Sequence, residues 1–429
     1  MYTQFIRFLA PLVLAMMAVE LGAQFLNGGM ARVPQAVETL AAFGLALGLV
    51  NVISAPLSQA RQLGLAMIDN AGQLRTGART VAAIGLGLGL ATAALGSAGP
   101  GRWLVEDVHD IAPDLADRVQ TALLWLMPLP LVNGMARYYS GVLARVRRTE
   151  VISASGLAGI AVRIAAVFAL LGADWIQARP ILLPAAVTLA GALTEFVVLL
   201  AGHVRWARPV LPGGGEPVTV RALLAFLWPL AVIMVFQGAS RPLINLVVSR
   251  QADATLALAA LTIVFTLGHI HYGWVNEIRS LAPAFRERPG AGSHIPRFAA
   301  ACSALSFGLA LVLYWTPVRQ VILLDLIGLD AAVAELCVGP LMIFSFFPFA
   351  VALRSYYHGQ GLVHRITDAM AWSGPCRMVA IAAALAALSW SGLPGATAGV
   401  GALLSGFAAE ALTVAWGVRR RLARAAGER

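Results

Sequence analysis

Residues able to do chemistry are few in this chain, and they sit inside apolar stretches. In the segment around residue 240, Gln237, Ser240, Arg241 and Asn245 recur at i, i+3, i+4 and i+8, one face of a helix. Pro242 beside them removes a backbone donor and frees carbonyls for other partners. Near the N-terminus Glu20, Gln24 and Asn27 form a similar stripe at i, i+4 and i+7. In "GHIHYGWVNEIRSLAPAF" (268–285), helical geometry puts His269, Tyr272, Asn276 and Arg279 on one face. Glu277 lies to the side of that face, and His271 points nearly opposite with Trp274, as a packed or interfacial residue. Arg354, Tyr357 and His358 share a further face, as do Arg137 and Ser140, and Arg377 precedes another apolar run. Guanidinium groups mixed with neutral amides suit electrostatic recognition of a small anion. Arg241, Arg354 and Arg377 would supply the charge, and Asn27, Asn245, Gln237 and Tyr272 the neutral hydrogen bonds. Glu20, His269 and Glu277 are the candidates for coupling to a proton or sodium gradient.

The segments carrying these residues read as membrane spans. Hydrophobic residues make up 59% of the 429, charged residues only 12%, against about a quarter in soluble domains. Mean hydropathy is +0.78. Apolar stretches near the ~20 residues of a spanning helix recur throughout. They predict twelve helices, at about 5–28, 37–60, 80–98, 120–144, 151–172, 180–203, 221–249, 254–278, 298–316, 335–358, 366–390 and 394–417. An arginine at a helix centre costs roughly 2.5–3.5 kcal/mol on the insertion scale. Arg137, Arg163, Arg241, Arg354 and Arg377 therefore face partners or a wet cavity. Glu20, Glu195, Glu277 and Glu410 come close to balancing them, so structural pairing competes with a cavity role. Arg163, Glu195 and Glu410 flank small-residue segments and read as packing.

All 31 basic residues are Arg, and the formal net charge is +10. With no Lys in the chain, the choice of Arg over Lys carries no information, and only the charge sign counts. The arginines concentrate at the termini and in alternate connections, while the loop after the third span is acidic (Glu106, Asp107, Asp110, Asp114, Asp117). By the positive-inside rule both termini are cytoplasmic, and the chain lies in the cell membrane. No basic patch is interleaved with aromatics, which argues against a nucleic-acid partner. Cys302, Cys337 and Cys376 lack metal or disulfide spacing, and His269 and His271 lack a third ligand, so no metal or cofactor is expected. Residues 5–28 read as a true first helix, because Glu20 interrupts the apolar core of a would-be signal peptide.

The chain also repeats itself. Shifted by 218 positions, Phe8, Leu9, Pro11, Leu12, Met16, Asn27 and Arg32 fall on Phe226, Leu227, Pro229, Leu230, Met234, Asn245 and Arg250. "PLVNGMARYYSG" (130–141) falls on "PFAVALRSYYHG" (348–359), and Arg61 on Arg279. With the shift reduced by three or four, Arg163 falls on Arg377 and Glu195 on Glu410. Six helices per unit is an even number, so the halves enter from one side and a pseudo-two-fold axis along the membrane normal relates them. The expected organisation is a bundle over 1–207, a flexible Pro/Gly-rich cytoplasmic linker over 208–220, and a second bundle over 221–429, facing each other across a central cavity.

The motifs "IRFLAPL", "QGASRPLINLVVSR", "GHIHYGWVNEIRSLAPAF", "AELCVGPLMIFSFFPFAVALRSYYHG" and "LPGATAGVGALLSGFAAE" resemble those of the progressive ankylosis protein family. The resemblance is near-colinear over essentially the whole chain. It carries Arg7, Asn27, Gln237, Ser240, Arg241, Pro242, Asn245, Arg250, Tyr272, Gly273, Trp274, Glu277, Arg279, Glu335, Arg354 and Arg377, with Glu20 standing for an Asp. It departs at His271, where the family pattern has proline, and in lacking a long polar C-terminal tail. The family looks like a branch of the group of multidrug-and-toxin extrusion carriers and lipid-linked oligosaccharide flippases. The resemblance implies an all-α, twelve-helix, two-lobe secondary transporter, and an exported substrate such as pyrophosphate, a nucleotide or citrate. A lipid-linked precursor flippase or multidrug exporter of the same group is the alternative. No nucleophile–base pair, metal cluster or ATP-binding loop is legible, so an enzyme is not expected and coupling falls to gradients.

Overall fold

A backbone in hydrocarbon must satisfy its N–H and C=O groups within itself, and a run of ~20 apolar residues does so by coiling into a helix. A computed structural model shows this along the chain. It describes all residues except 98, 104–112, 251–253, 390–391 and 428–429, and side chains except also those of 15–24, 100, 254–255 and 389. Among the described residues every regular element is helical. The principal helices are α1 (Tyr2–Met30), α2 (Ala36–Ser54), α3 (Ala60–Ala66), α4 (Ala71–Leu95), α5 (Pro113–Leu126), α6 (Leu129–Arg145), α7 (Thr149–Leu170) and α8 (Leu182–Gly202). They continue with α9 (Val220–Val248), α10 (Ala254–Tyr272), α11 (Leu281–Ala284), α12 (Ala291–Trp315), α13 (Ala331–Phe344), α14 (Phe347–Val363), α15 (Ser373–Ser389) and α16 (Gly395–Gly427).

Among the described residues, ten spans are long and apolar enough to cross a membrane, and α5 with α6, meeting at 41°, makes an eleventh. Helix α1, 29 residues long, occupies the first expected position, and its described apolar part is Tyr2–Leu14. The protein is thus an all-α, multi-pass membrane protein. Three acidic residues of the third loop, Glu106, Asp107 and Asp110, lie outside the described residues.

The chain packs into two compact units, Ile6–Leu227, and Trp228–Arg429 together with Met1–Phe5. Within each unit the helices break at the same aligned positions. Span four divides between Leu126 and Leu129, and span ten between Phe344 and Phe347, each resuming with a proline in the first turn. Span two tightens into a 3-10 segment, Ala55–Gln59, and span eight into another, Gly273–Ser280. Arg147 and Arg365, the two left-handed residues after spans four and ten, have φ of 60° and 57°. Chance similarity of apolar helices does not produce matched irregularities, so the duplication read from Asn, Arg and Pro matches extends to backbone detail.

Close approach holds the first unit together. A Cβ on Gly141 would lie 2.0 Å from the Arg61 carbonyl oxygen, and one on Gly64 2.3 Å from that of Tyr138, so α3 and α6 touch backbone to backbone. The Tyr138 hydroxyl donates to the Leu74 carbonyl at 2.8 Å, tying α6 to α4. In the other unit Phe5 packs on Phe285 and Phe298, at ring separations of 5.0 and 5.4 Å.

The Pro/Gly-rich segment is tied to the start of α4. Asn70 caps α4, accepting from Gln73 N–H at 2.9 Å, and its amide donates to the Glu216 carbonyl at 3.2 Å. Gln73 Nε2 donates to the same carbonyl at 3.0 Å, and Ala71 N–H to that of Pro212 at 3.0 Å. Pro and Gly deprive 212–216 of internal hydrogen bonds, and the unpaired start of α4 supplies donors instead.

Candidate functional site

The main polar cluster of the C-terminal unit is assembled around Glu410, fully buried on α16. Its Oε2 accepts from Arg377 Nη1 at 2.7 Å and Arg354 Nη1 at 3.1 Å, and its Oε1 from Gln237 Nε2 at 2.5 Å. Arg377 Nε donates to Ser240 Oγ at 2.9 Å, and Arg354 Nη2 to Asn276 Oδ1. Three spans thus donate to one carboxylate on a fourth, and two guanidiniums share a single negative charge, leaving one positive charge in excess. Phe407, one turn before Glu410, lies under both: its ring centroid is 4.1 Å from the Arg377 guanidinium and 5.0 Å from that of Arg354. Tyr272 is buried against this ring and against Phe347, 5.3 Å away. His358 is buried one turn beyond Arg354, and its Nε2 has no hydrogen-bond partner among the described residues.

Small residues let these helices close. A Cβ on Gly406 would come 2.5 Å from Ile381 and 3.2 Å from Cγ of Arg377, so glycine is what admits α15 against α16 here. Where span eight tightens at Gly273, side chains take up the carbonyls released. Ser306 Oγ donates to His271 O at 2.6 Å, Trp274 Nε1 to the same oxygen at 2.8 Å, and Asn276 Nδ2 to Gly273 O at 2.9 Å.

The N-terminal unit repeats the motif with a difference. Arg163 Nη2 lies 2.7 Å from Glu195 Oε1, and Arg137 also bears electrostatically on that carboxylate. Gly191 stands to Arg163 as Gly406 to Arg377: a Cβ there would sit 2.2 Å from Arg163 Nε. The residue aligned with Phe407 is Ala192. This unit has an open cavity of about 80 Å³, lined by Asn51, Ser54, Leu57, Ser58, Pro130, Asn133, Gly134 and Arg137.

The structure brings together four of the expected residues, Gln237, Tyr272, Arg354 and Arg377. Arg241 is exposed on α9 and bears electrostatically on Tyr272, with its guanidinium 4.9 Å over the Phe265 ring and Nη2 3.5 Å from the Phe265 carbonyl. Asn245, one turn on, is exposed, and so is Asn27 on α1 in the other unit. His269 is half-buried and packs edge-on to Tyr272 at 5.3 Å, and Glu277 is half-buried on the 3-10 segment. The side chain of Glu20 lies outside the described residues. His271 is fully buried, its Nε2 3.1 Å from the Phe344 carbonyl and its Nδ1 3.3 Å from the Tyr314 hydroxyl. Sequence alone gives Glu410 and Glu195 packing roles and does not single out Phe407. The signal for the carboxylates is the Arg–Glu pair matched between halves.

The architecture is that of MOP-superfamily transporters. A MATE transporter, ClbM in complex with Rb+, superposes with a TM-score of 0.71 at 16% identity, over 97% of this chain and 94% of that one. A point mutant of the Vibrio cholerae MATE transporter VcmN gives 0.71 at 13% identity over 99% and 97%. A MOP superfamily transporter from Pyrococcus furiosus gives 0.70 at 12% over 98% and 96%. Identities this low establish a shared fold. Lineage comes from sequence: the family model described as Progressive ankylosis protein (ANKH) matches residues 1–316, and the chain belongs to the progressive ankylosis protein family.

Proposed function

We propose that the protein is a secondary carrier that exports a small polyanion, of pyrophosphate, nucleotide or citrate type, by alternating access between its two units. The observation that carries this reading is the charge imbalance at Glu410, where Arg354 and Arg377 share one carboxylate inside a membrane span. Excess positive charge in hydrocarbon is costly, and a substrate anion relieves it. Arg241, exposed on α9 of the same unit, is the first guanidinium an anion would meet. Arg354 and Arg377 would then exchange part of their hold on Glu410 for substrate oxygens, with Gln237, Tyr272 and Asn245 donating neutral hydrogen bonds.

Glu20, His269 and Glu277 are the groups to which a driving proton or sodium ion would couple. The chain would lie in the cell membrane with both termini in the cytoplasm. The related Pyrococcus furiosus protein is described as having a binding pocket of reverse polarity that suggests a different function.

The test is efflux from liposomes holding the purified protein and trapped pyrophosphate, citrate or ATP. Wild type should release at least one of them under a proton or sodium gradient. Arg241→Ala, inserted to the same level, should release it at least ten-fold more slowly. Efflux of none of the three would overturn the reading in favour of a lipid-linked or drug-like substrate.

A further inference from the structure

A groove runs between α12 and α14 of the C-terminal unit. Pro296, Ala300 and Ser303 line it from one helix, and Phe349, Tyr356 and Tyr357 from the other. Its volume is about 360 Å³, within the ~300–1,000 Å³ of small-ligand sites. Phe349 is exposed on a membrane span, so the groove opens toward lipid. One polar group interrupts its apolar wall: the Ser303 hydroxyl is buried and has no hydrogen-bond partner among the described residues. A hydroxyl on a helix can satisfy itself on the carbonyl one turn back, as Ser240, Thr262 and Thr266 do here. A buried one that does not is left wanting an acceptor.

The duplication explains why the groove is open in this half. At the 218 shift Ser303 and Phe349 correspond to Gly85 and Leu131, and Ile295 and Tyr356 to Gly77 and Tyr138. A Cβ on Gly85 would lie 2.7 Å from Leu131 Cα, and one on Gly77 2.5 Å from the Tyr138 hydroxyl, so α4 and α6 close on each other. In the C-terminal unit a side chain stands at both glycine places, α12 cannot come so near α14, and space remains. Charge stands at one end of it. Arg419 of α16 lays its guanidinium 5.1 Å over the Tyr357 ring and bears electrostatically on Tyr356. Among the described residues no carboxylate pairs with Arg419, whereas Arg421, two residues on, is held by Asp368. Stacking occupies one face of the guanidinium plane and leaves its N–H edges for oxygens.

We infer that this groove is a binding site for one anionic glycerophospholipid. Its acyl chain lies between α12 and α14, an ester carbonyl accepts from Ser303, and the phosphate sits on Arg419. Apolar walls suit the chain, and a lipid phosphate is the anion that a bilayer brings to an arginine at the end of a span. The site belongs to the C-terminal unit alone and stands whether or not the Glu410 cluster handles cargo.

The experiment is lipid binding to the full-length, delipidated protein in detergent, read by native mass spectrometry and by shifts in thermal unfolding. The probes are phosphatidylglycerol and phosphatidylcholine with identical acyl chains, and chain-free glycerol 3-phosphate. Phosphatidylglycerol should bind about five-fold more tightly than phosphatidylcholine, the worth of one arginine at a lipid surface, and glycerol 3-phosphate should not compete. Arg419→Gln should abolish that preference and leave phosphatidylcholine binding unchanged. Arg420→Gln removes a guanidinium that lies over Trp416, away from the groove lining, and should keep the preference. Ala300→Trp fills the groove from an exposed position, so it should weaken both lipids about five-fold or more while the lipid-free unfolding temperature stays near that of wild type. Ser303→Ala should weaken both by a smaller factor. An equal loss of preference in Arg419→Gln and Arg420→Gln would mean diffuse attraction to the basic helix end and overturn the assignment. So would an unchanged preference in Arg419→Gln, unchanged lipid binding in Ala300→Trp, or competition by glycerol 3-phosphate, which would make the arginine a site for free phosphate esters.

Discussion

A matched arginine–glutamate pair occurs in both halves of the molecule, in two different surroundings. Around Glu410 the arginine side chains are 9% and 5% exposed and the carboxylate 0%, whereas Arg163 and Glu195 remain 17% and 22% exposed. Both pairs have the same 2.7 Å contact, so distance does not separate them. What separates them is the aromatic packing: Phe407, Tyr272 and Phe347 enclose one cluster, and Ala192, Ser54 and Leu129 stand at the aligned places in the other. Removing water makes a pair both stronger and more costly to break. Duplication therefore gave the protein one pair enclosed by aromatic rings and one that stays partly exposed.

Glu410→Gln is the sharpest way to break that comparison. It leaves two buried guanidiniums without a counter-charge, and should cost about 3–5 kcal/mol of stability. Thermal unfolding in a fixed detergent, with wild type alongside, measures it. Glu195→Gln makes the same chemical change in the more exposed pair and should cost about 1 kcal/mol. Equal losses in the two variants would mean that enclosure by the rings does not set the energetics.

Much of this architecture is legible in the sequence because it follows from a few strong constraints. Hydrocarbon demands helices of known length, so the spans and their approximate ends can be read directly. The polar faces are legible too, because a helix repeats every 3.6 residues. His269 and Tyr272 do meet, as that periodicity requires. The periodicity does not reveal which partner each arginine takes. Arg354, Arg377 and Gln237 come from three spans, and nothing local in their sequence points to Glu410. The duplication is the only long-range signal, and it does mark Glu195 and Glu410 as a matched pair. Phe407 is invisible because an aromatic in an apolar helix looks like any core residue. The contacts of the Pro/Gly-rich linker are illegible for a related reason: its composition marks an irregular connection, but is silent on which neighbour bonds to it.

The smallest effect tests an asymmetry that only the N-terminal half has. At the shift that aligns the halves, Asn70 falls on Arg288, so the C-terminal unit has no equivalent amide clasp. Asn70 does two jobs, capping α4 through Oδ1 and holding the Glu216 carbonyl through Nδ2. Asn70→Ala removes both and should cost about 1 kcal/mol. Asn70→Asp keeps the capping oxygen and loses only the donor to the linker. The Asp variant should therefore unfold close to wild type while limited proteolysis cuts residues 208–219 several-fold faster. If its linker is cut no faster than the wild-type one, the remaining bonds from Gln73 and Ala71 suffice, and the clasp is a property of the α4 terminus rather than of Asn70.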